Sequence, residues 1–160
     1  MLGRQLFMVR AVILWVHVLC GVAWVGVCAS FVVAAAAFGG EPGELNALAL
    51  RAAPRINRLS ILVATLIPLT GMGNLIFVAR ARNFILPSEF VGILSAKILL
   101  YAVMALALWR AWGAEATIAN GLPESQMLAM VDIRKLMMLY GLIIGAGTFA
   151  LALGLWLSGV

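Results

Sequence analysis

Two side chains sit where a charge or titratable group is costly. Between Arg10 and Glu41 the only ionisable groups are His17, Cys20 and Cys28, and between Glu89 and Arg110 the only charged one is Lys97. An imidazole ligates haem iron or copper, while Cys and Met are soft ligands suited to Cu(I). A lysine contributes in one of two ways. As the neutral amine it can bind iron, and as the ammonium it pairs with an anion such as a carboxylate or a haem propionate.

Spacing brings three such groups to one depth if the apolar runs are helices of alternating direction. His17 lies seven residues beyond Arg10, about 10 Å along a helix, and Lys97 lies eight residues beyond Glu89, about 12 Å. Met72 precedes Arg80 by eight residues on an oppositely directed run, again about 12 Å from the same surface. Each has polar or soft company at helical spacing. His17, Cys20, Gly21, Trp24 and Cys28 form one stripe, and Lys97, Tyr101 and Met104 form another. Thr70, Met72 and Asn74 surround Gly71 and Gly73, where missing side chains allow close approach to the backbone.

Each residue also has a plainer reading. A lone membrane histidine serves as a hydrogen-bonded interior residue, Lys97 has a stem long enough to snorkel, and methionines pack. Cys20 and Cys28 are about 12 Å apart on one helix, too far for a mutual disulfide, and read as small apolar residues. Gly141, Gly145 and the Ala146, Ala150, Gly154 series read as close-packing faces. Arg55 and Arg58 read first as partners of anionic headgroups and second as partners of a propionate.

The elements that must carry these groups follow from composition. The chain has 160 residues, 65% apolar and 11% charged, with a mean hydropathy of +1.13. That excludes an ordinary soluble domain and intrinsic disorder. One His, two Cys and six acidic residues are too few for a catalytic domain rich in acids, bases and nucleophiles. The +5 charge is scattered at segment ends, so no nucleic-acid partner is expected. A bilayer core of about 30 Å needs roughly 20 helical residues, and the apolar runs do not alternate as barrel strands would. The expectation is an all-α, integral membrane bundle of four transmembrane helices. It forms one domain over 1–160, with spans at about 8–36, 59–80, 90–112 and 135–158. The first run is too long for a removable signal peptide.

Trp15, Trp109, Trp112 and Trp156 fall near span ends, as interfacial indoles do. The second helix is expected to extend outward through 45–59 with an interruption near Pro54, and to kink at Pro68. Residues 113–132, with Gly121–Leu122–Pro123, read as a surface loop. Arg4 and Arg10 before the first span argue for both termini inside, although the count of basic residues favours the opposite side.

The run Trp15-Val16-His17-Val18-Leu19-Cys20-Gly21-Val22-Ala23-Trp24-Val25-Gly26 resembles the H-x6-W-x-G opening of the copper-resistance CopD-like membrane domain and of the related HemJ-type protoporphyrinogen oxidase family. Arg55-Ile56-Asn57-Arg58 leading to Thr70-Gly71 resembles their second-span R…TG segment. Ser95-Ala96-Lys97-Ile98-Leu99-Leu100 is similar to their third-span lysine motif. After Trp24 the chain departs from the HemJ pattern, with Val27-Cys28-Ala29-Ser30-Phe31-Val32-Val33 in place of further aromatic and histidine elements. This moves the resemblance towards the CopD-like branch.

The resemblance implies a four-helix unit of a bacterial inner membrane; in the HemJ-type branch haem b would be held by His17 and Lys97, while the CopD-like branch is associated with copper uptake. Trp24, Met72, Tyr101, Arg55 and Arg58 complete the expected cofactor surroundings. It implies electron transfer or haem and porphyrin chemistry, including a haem-dependent oxidoreductase. Two alternatives stand beside it. One is copper uptake along His17, Cys20, Cys28 and Met72. The other is an accessory subunit, in a larger membrane complex or a homo-oligomer, within the lipid bilayer.

Overall fold

The computed structural model describes residues 2–37, 42–120 and 126–158. Each apolar run lies in one helix: α1 (Leu2–Ala37), α2 (Pro42–Ala81), α3 (Ser88–Asn120) and α4 (Gln126–Ser158). Among the described residues there is no strand. All four helices are long and apolar enough to cross a membrane, over Met8–Ala37, Gly43–Ala81, Ser88–Ala116 and Ile133–Trp156. The fold is therefore an all-α bundle of four transmembrane helices, and its outer surface suits a bilayer. Trp15, Trp109, Trp112 and Trp156 all lie exposed on that surface.

The helices pack as a ring in which α1 touches α2 and α4, and α3 touches α4 and α2. Thus α1 and α3 stand across the diagonal, and their inward side chains meet in the middle. Trp24 and Tyr101 pack edge to face with ring centroids 6.3 Å apart. The inward stripe of α1 runs through Cys20, Trp24, Cys28, Phe31 and Ala35, all buried. Close approach of α1 to α4 depends on Gly147, where a Cβ would collide with Val25 Cγ2. Gly141 and Gly145, expected as packing faces, are instead exposed with open space beside them. The small face that packs inside the bundle carries Gly147 and Gly154, because 100° per residue turns Gly141 and Gly145 outward.

Two sequence expectations about helix ends are corrected. Helix α2 is continuous through Pro54 as well as Pro68. The buried stripe Leu45, Ala49, Ala53, Ile56 and Ser60 runs across Pro54, so packing on either side holds the helix together. Residues 113–132 are not a loop: α3 continues to Asn120 and α4 begins at Gln126. Buried Ala111 and Ala114 carry the α3 packing face onward past Arg110. The Gly121–Leu122–Pro123 turn lies outside the described residues. Between α2 and α3 the chain turns through Asn83 and Phe84 in the left-handed region, with φ of 50° and 63°. The Phe84 amide donates to the Ala79 carbonyl at 2.7 Å, which closes the end of α2.

Pro68 shows how this bundle solves the problem of backbone groups in lipid. Lacking an N–H, it frees the carbonyl four residues earlier, that of Ala64. The Tyr101 hydroxyl of α3 donates to that same carbonyl at 2.8 Å. Tyr101→Phe is therefore expected to destabilise the protein by about 1 kcal/mol. In a Pro68→Ala background, where a helical amide replaces the hydroxyl, the same substitution is expected to cost close to nothing. Equal losses in both backgrounds, measured by reversible unfolding in mixed micelles, would show that the two groups are unrelated.

Candidate functional site

His17 is held by α2. Its Nδ1 lies 2.9 Å from Thr70 Oγ1 and 3.1 Å from the Ile67 carbonyl. The carbonyl only accepts, so Nδ1 carries the proton and donates, an assignment made from the hydrogen-bond partners. Thr70 Oγ1 itself donates to the Leu66 carbonyl at 2.7 Å, which leaves its lone pairs facing the imidazole. The ring lies against Gly71, where a Cβ would come within 3.2 Å of His17 Cε1. A neutral imidazole fixed through Nδ1 presents Nε2 as a lone-pair donor, and Nε2 has no hydrogen-bond partner among the described residues. Metal-binding histidines are commonly oriented in this way.

Lys97 reaches from the opposite corner. It is half-buried, and its Nζ lies 3.2 Å from where a Gly154 Cβ would stand, so the glycine admits it against α4. It forms no hydrogen bond or ion pair among the described residues. His17 thus leans on α2 and Lys97 on α4, yet Lys97 remains within electrostatic reach of the imidazole. Two further donors are buried and without a hydrogen-bond partner among the described residues: Asn74 Nδ2, one turn from Thr70, and Trp24 Nε1, seven residues or about 10 Å beyond His17 along α1. Thr70 and Asn74 face inward together, being one helical turn apart.

The other expected residues are placed as follows. Met72 is 58% exposed and turned to the outside, because two residues from Thr70 is about 200° around a helix. Equal depth did not give it a common direction with His17. Arg55 and Arg58 are exposed, and 12 to 15 residues separate them from Thr70, about 18–22 Å of helix. They stand at the far end of α2 from His17. Tyr101 lies beside Trp24, but its hydroxyl is committed to the Ala64 carbonyl. Cys20 and Cys28 are buried free thiols. Cys28 lies against Ser60, about three turns beyond the His17 level, and the buried Ser60 Oγ has no conventional partner among the described residues. No group of three His, Cys, Asp or Glu side chains that could hold a metal ion occurs among the described residues.

A second polar cluster, at the other end of the bundle, was not anticipated. The Tyr140 hydroxyl donates to Asn57 Oδ1 at 2.9 Å, and Asn57 Nδ2 donates to Glu115 Oε2. Asn57 and Tyr140 are fully buried, so α2, α3 and α4 are joined by one directed chain of hydrogen bonds. The signal available in the sequence was Tyr140, a lone phenol inside an uncharged run. Its partners lie 83 and 25 residues away, in segments that look like headgroup-level surface.

No protein-family model matches this sequence, and the comparisons with curated proteins and solved structures give no match either.

Asn57→Leu is expected to destabilise the bundle by about 1–3 kcal/mol, because it strands both a carboxylate and a phenol. Tyr140→Phe, which leaves a single acceptor unpaired, is expected to cost about 1 kcal/mol or less. Unfolding measurements that rank the two the other way would refute this chain.

Proposed function

We propose that the chain is a haem b-binding membrane protein acting in electron transfer or porphyrin chemistry, in which His17 would hold the iron. The observation that carries this reading is the anchored imidazole: Nδ1 donates to Thr70 and Ile67, and Nε2 is left without a hydrogen-bond partner among the described residues. The surroundings support it. Lys97 Nζ and Asn74 Nδ2 are donors without acceptors among the described residues, and haem brings carboxylates as well as iron. Lys97 serves either as the second ligand or as the partner of a propionate. Bound haem would supply one-electron chemistry, and the protein's part is to fix the imidazole and shield it from water.

Copper handling finds less support, since Met72 faces outward and Cys28 lies about three turns away beside Ser60. An accessory role has one observation in its favour. Gly141 and Gly145 lie one turn apart on the exposed face of α4 with open space beside them, where another helix could approach closely.

Protein purified from haem-replete cells is expected to show a Soret band that is absent in His17→Ala. Thr70→Val keeps the ligand but removes part of its support, so it is expected to lower haem affinity about tenfold. Helical content should stay unchanged in both variants by circular dichroism. A wild type without pigment, or a His17→Ala variant with an unaltered spectrum, would sink the reading.

A further inference from the structure

The outward face of α2 carries a pattern that the proposed site does not use. Arg51, Arg55 and Arg58 are all exposed and follow one another at spacings of four and three, so they form a single stripe. The stripe continues through Leu62, Leu69, Met72 and Ile76, exposed and apolar, to exposed Arg80. From Arg58 to Arg80 is 22 residues, or about 33 Å, close to the roughly 30 Å of a hydrocarbon core. Arg58 therefore marks one headgroup layer and Arg80 the other. Arg55 and Arg51 rise from Arg58 by about 4 and 10 Å, within the depth of a headgroup region.

None of the three arginines forms an ion pair among the described residues. Glu115 is bonded to Asn57 instead, and Glu44 shares the stripe only about 10 Å further out than Arg51. Exposed Arg110 on the neighbouring α3, with exposed Arg134 and Lys135 on α4, adds three further cations to this end of the bundle. Three unpaired guanidiniums directly above a lipid-facing apolar strip match phosphate groups carried on acyl chains.

We propose that the Arg51–Arg55–Arg58 stripe of α2 binds anionic phospholipid, seating headgroup phosphates on the guanidiniums and acyl chains along Leu62–Ile76. The stripe stands at the opposite end of α2 from the His17 level, so the lipid site is independent of any group held there. It selects the leaflet richer in anionic lipid, against the end that carries Arg10, Arg80 and Arg82.

Native mass spectrometry of the full chain, released from micelles holding equal phosphatidylglycerol and phosphatidylcholine, tests this. Wild type is expected to retain phosphatidylglycerol about fivefold or more over phosphatidylcholine, with the ratio falling as salt is raised. The triple variant Arg51→Gln/Arg55→Gln/Arg58→Gln is expected to bring the ratio near one. The triple variant Arg10→Gln/Arg80→Gln/Arg82→Gln is expected to leave it unchanged. All six positions are exposed, and circular dichroism checks that the helices persist. Inorganic phosphate should displace no more lipid than chloride at equal ionic strength. An unaltered ratio in the first variant, an equal loss in the second, or preferential displacement by phosphate each overturns the proposal.

Discussion

A helix in lipid has no water to complete its backbone, so every carbonyl it frees must be met by another part of the same protein. In α2 that requirement falls on Ala64, whose carbonyl loses its amide to Pro68, and the Tyr101 hydroxyl answers it from α3. The contact fixes more than one hydrogen bond. It sets Tyr101 against Trp24 of α1, and so ties three helices at the middle of the bundle. One turn further along α2, Thr70 and the Ile67 carbonyl take the Nδ1 proton of His17. The stretch of α2 around its proline thus organises side chains from both diagonal helices.

Polar groups are gathered at two levels, with an apolar middle between them. At one level are His17, Lys97, Thr70 and Asn74; at the other are Asn57, Glu115 and Tyr140, with Ser60 and Cys28 close by. Between them lie Met104, Val63 and Ile143, all buried. Gly147 belongs to this middle layer and lets Val25 and Met104 press onto α4. The two levels differ in character. The Asn57 chain has a donor for each acceptor it uses, as a structural tie requires, whereas the His17 level holds several groups with nothing to bond.

The fold was legible because hydropathy and length alone specify helices in a bilayer, and charges such as Arg10, Arg80, Glu89 and Lys135 mark where they emerge. Depth was legible for the same reason, and it placed His17 beside Thr70 and Gly71 correctly. Direction was not. Met72 has the right depth and faces lipid, because two residues along a helix reverse the face. The inward stripes of α1 and α3 were recoverable since each repeats over several turns. Single residues such as Asn57 and Glu115 offer no repeat to read. The continuity of α3 past Arg110 was hidden for a related reason: alanines that pack, such as Ala111 and Ala114, look the same in sequence as alanines at a surface.

The unsatisfied groups at the His17 level constrain what would complete it. Asn74 Nδ2 is a donor, Lys97 Nζ is a donor alone when it is the ammonium, and His17 Nε2 offers a lone pair in either case. A bare metal cation would use that nitrogen and, with Lys97 as the ammonium, leave N–H donors facing a positive charge. An anion alone would use the donors and repel Nε2. A ligand that joins an electron-pair acceptor to carboxylate or carbonyl oxygens uses both kinds of group at once. Metal porphyrins have this composition, so under the proposed haem reading these donors add to the argument that the imidazole makes by itself.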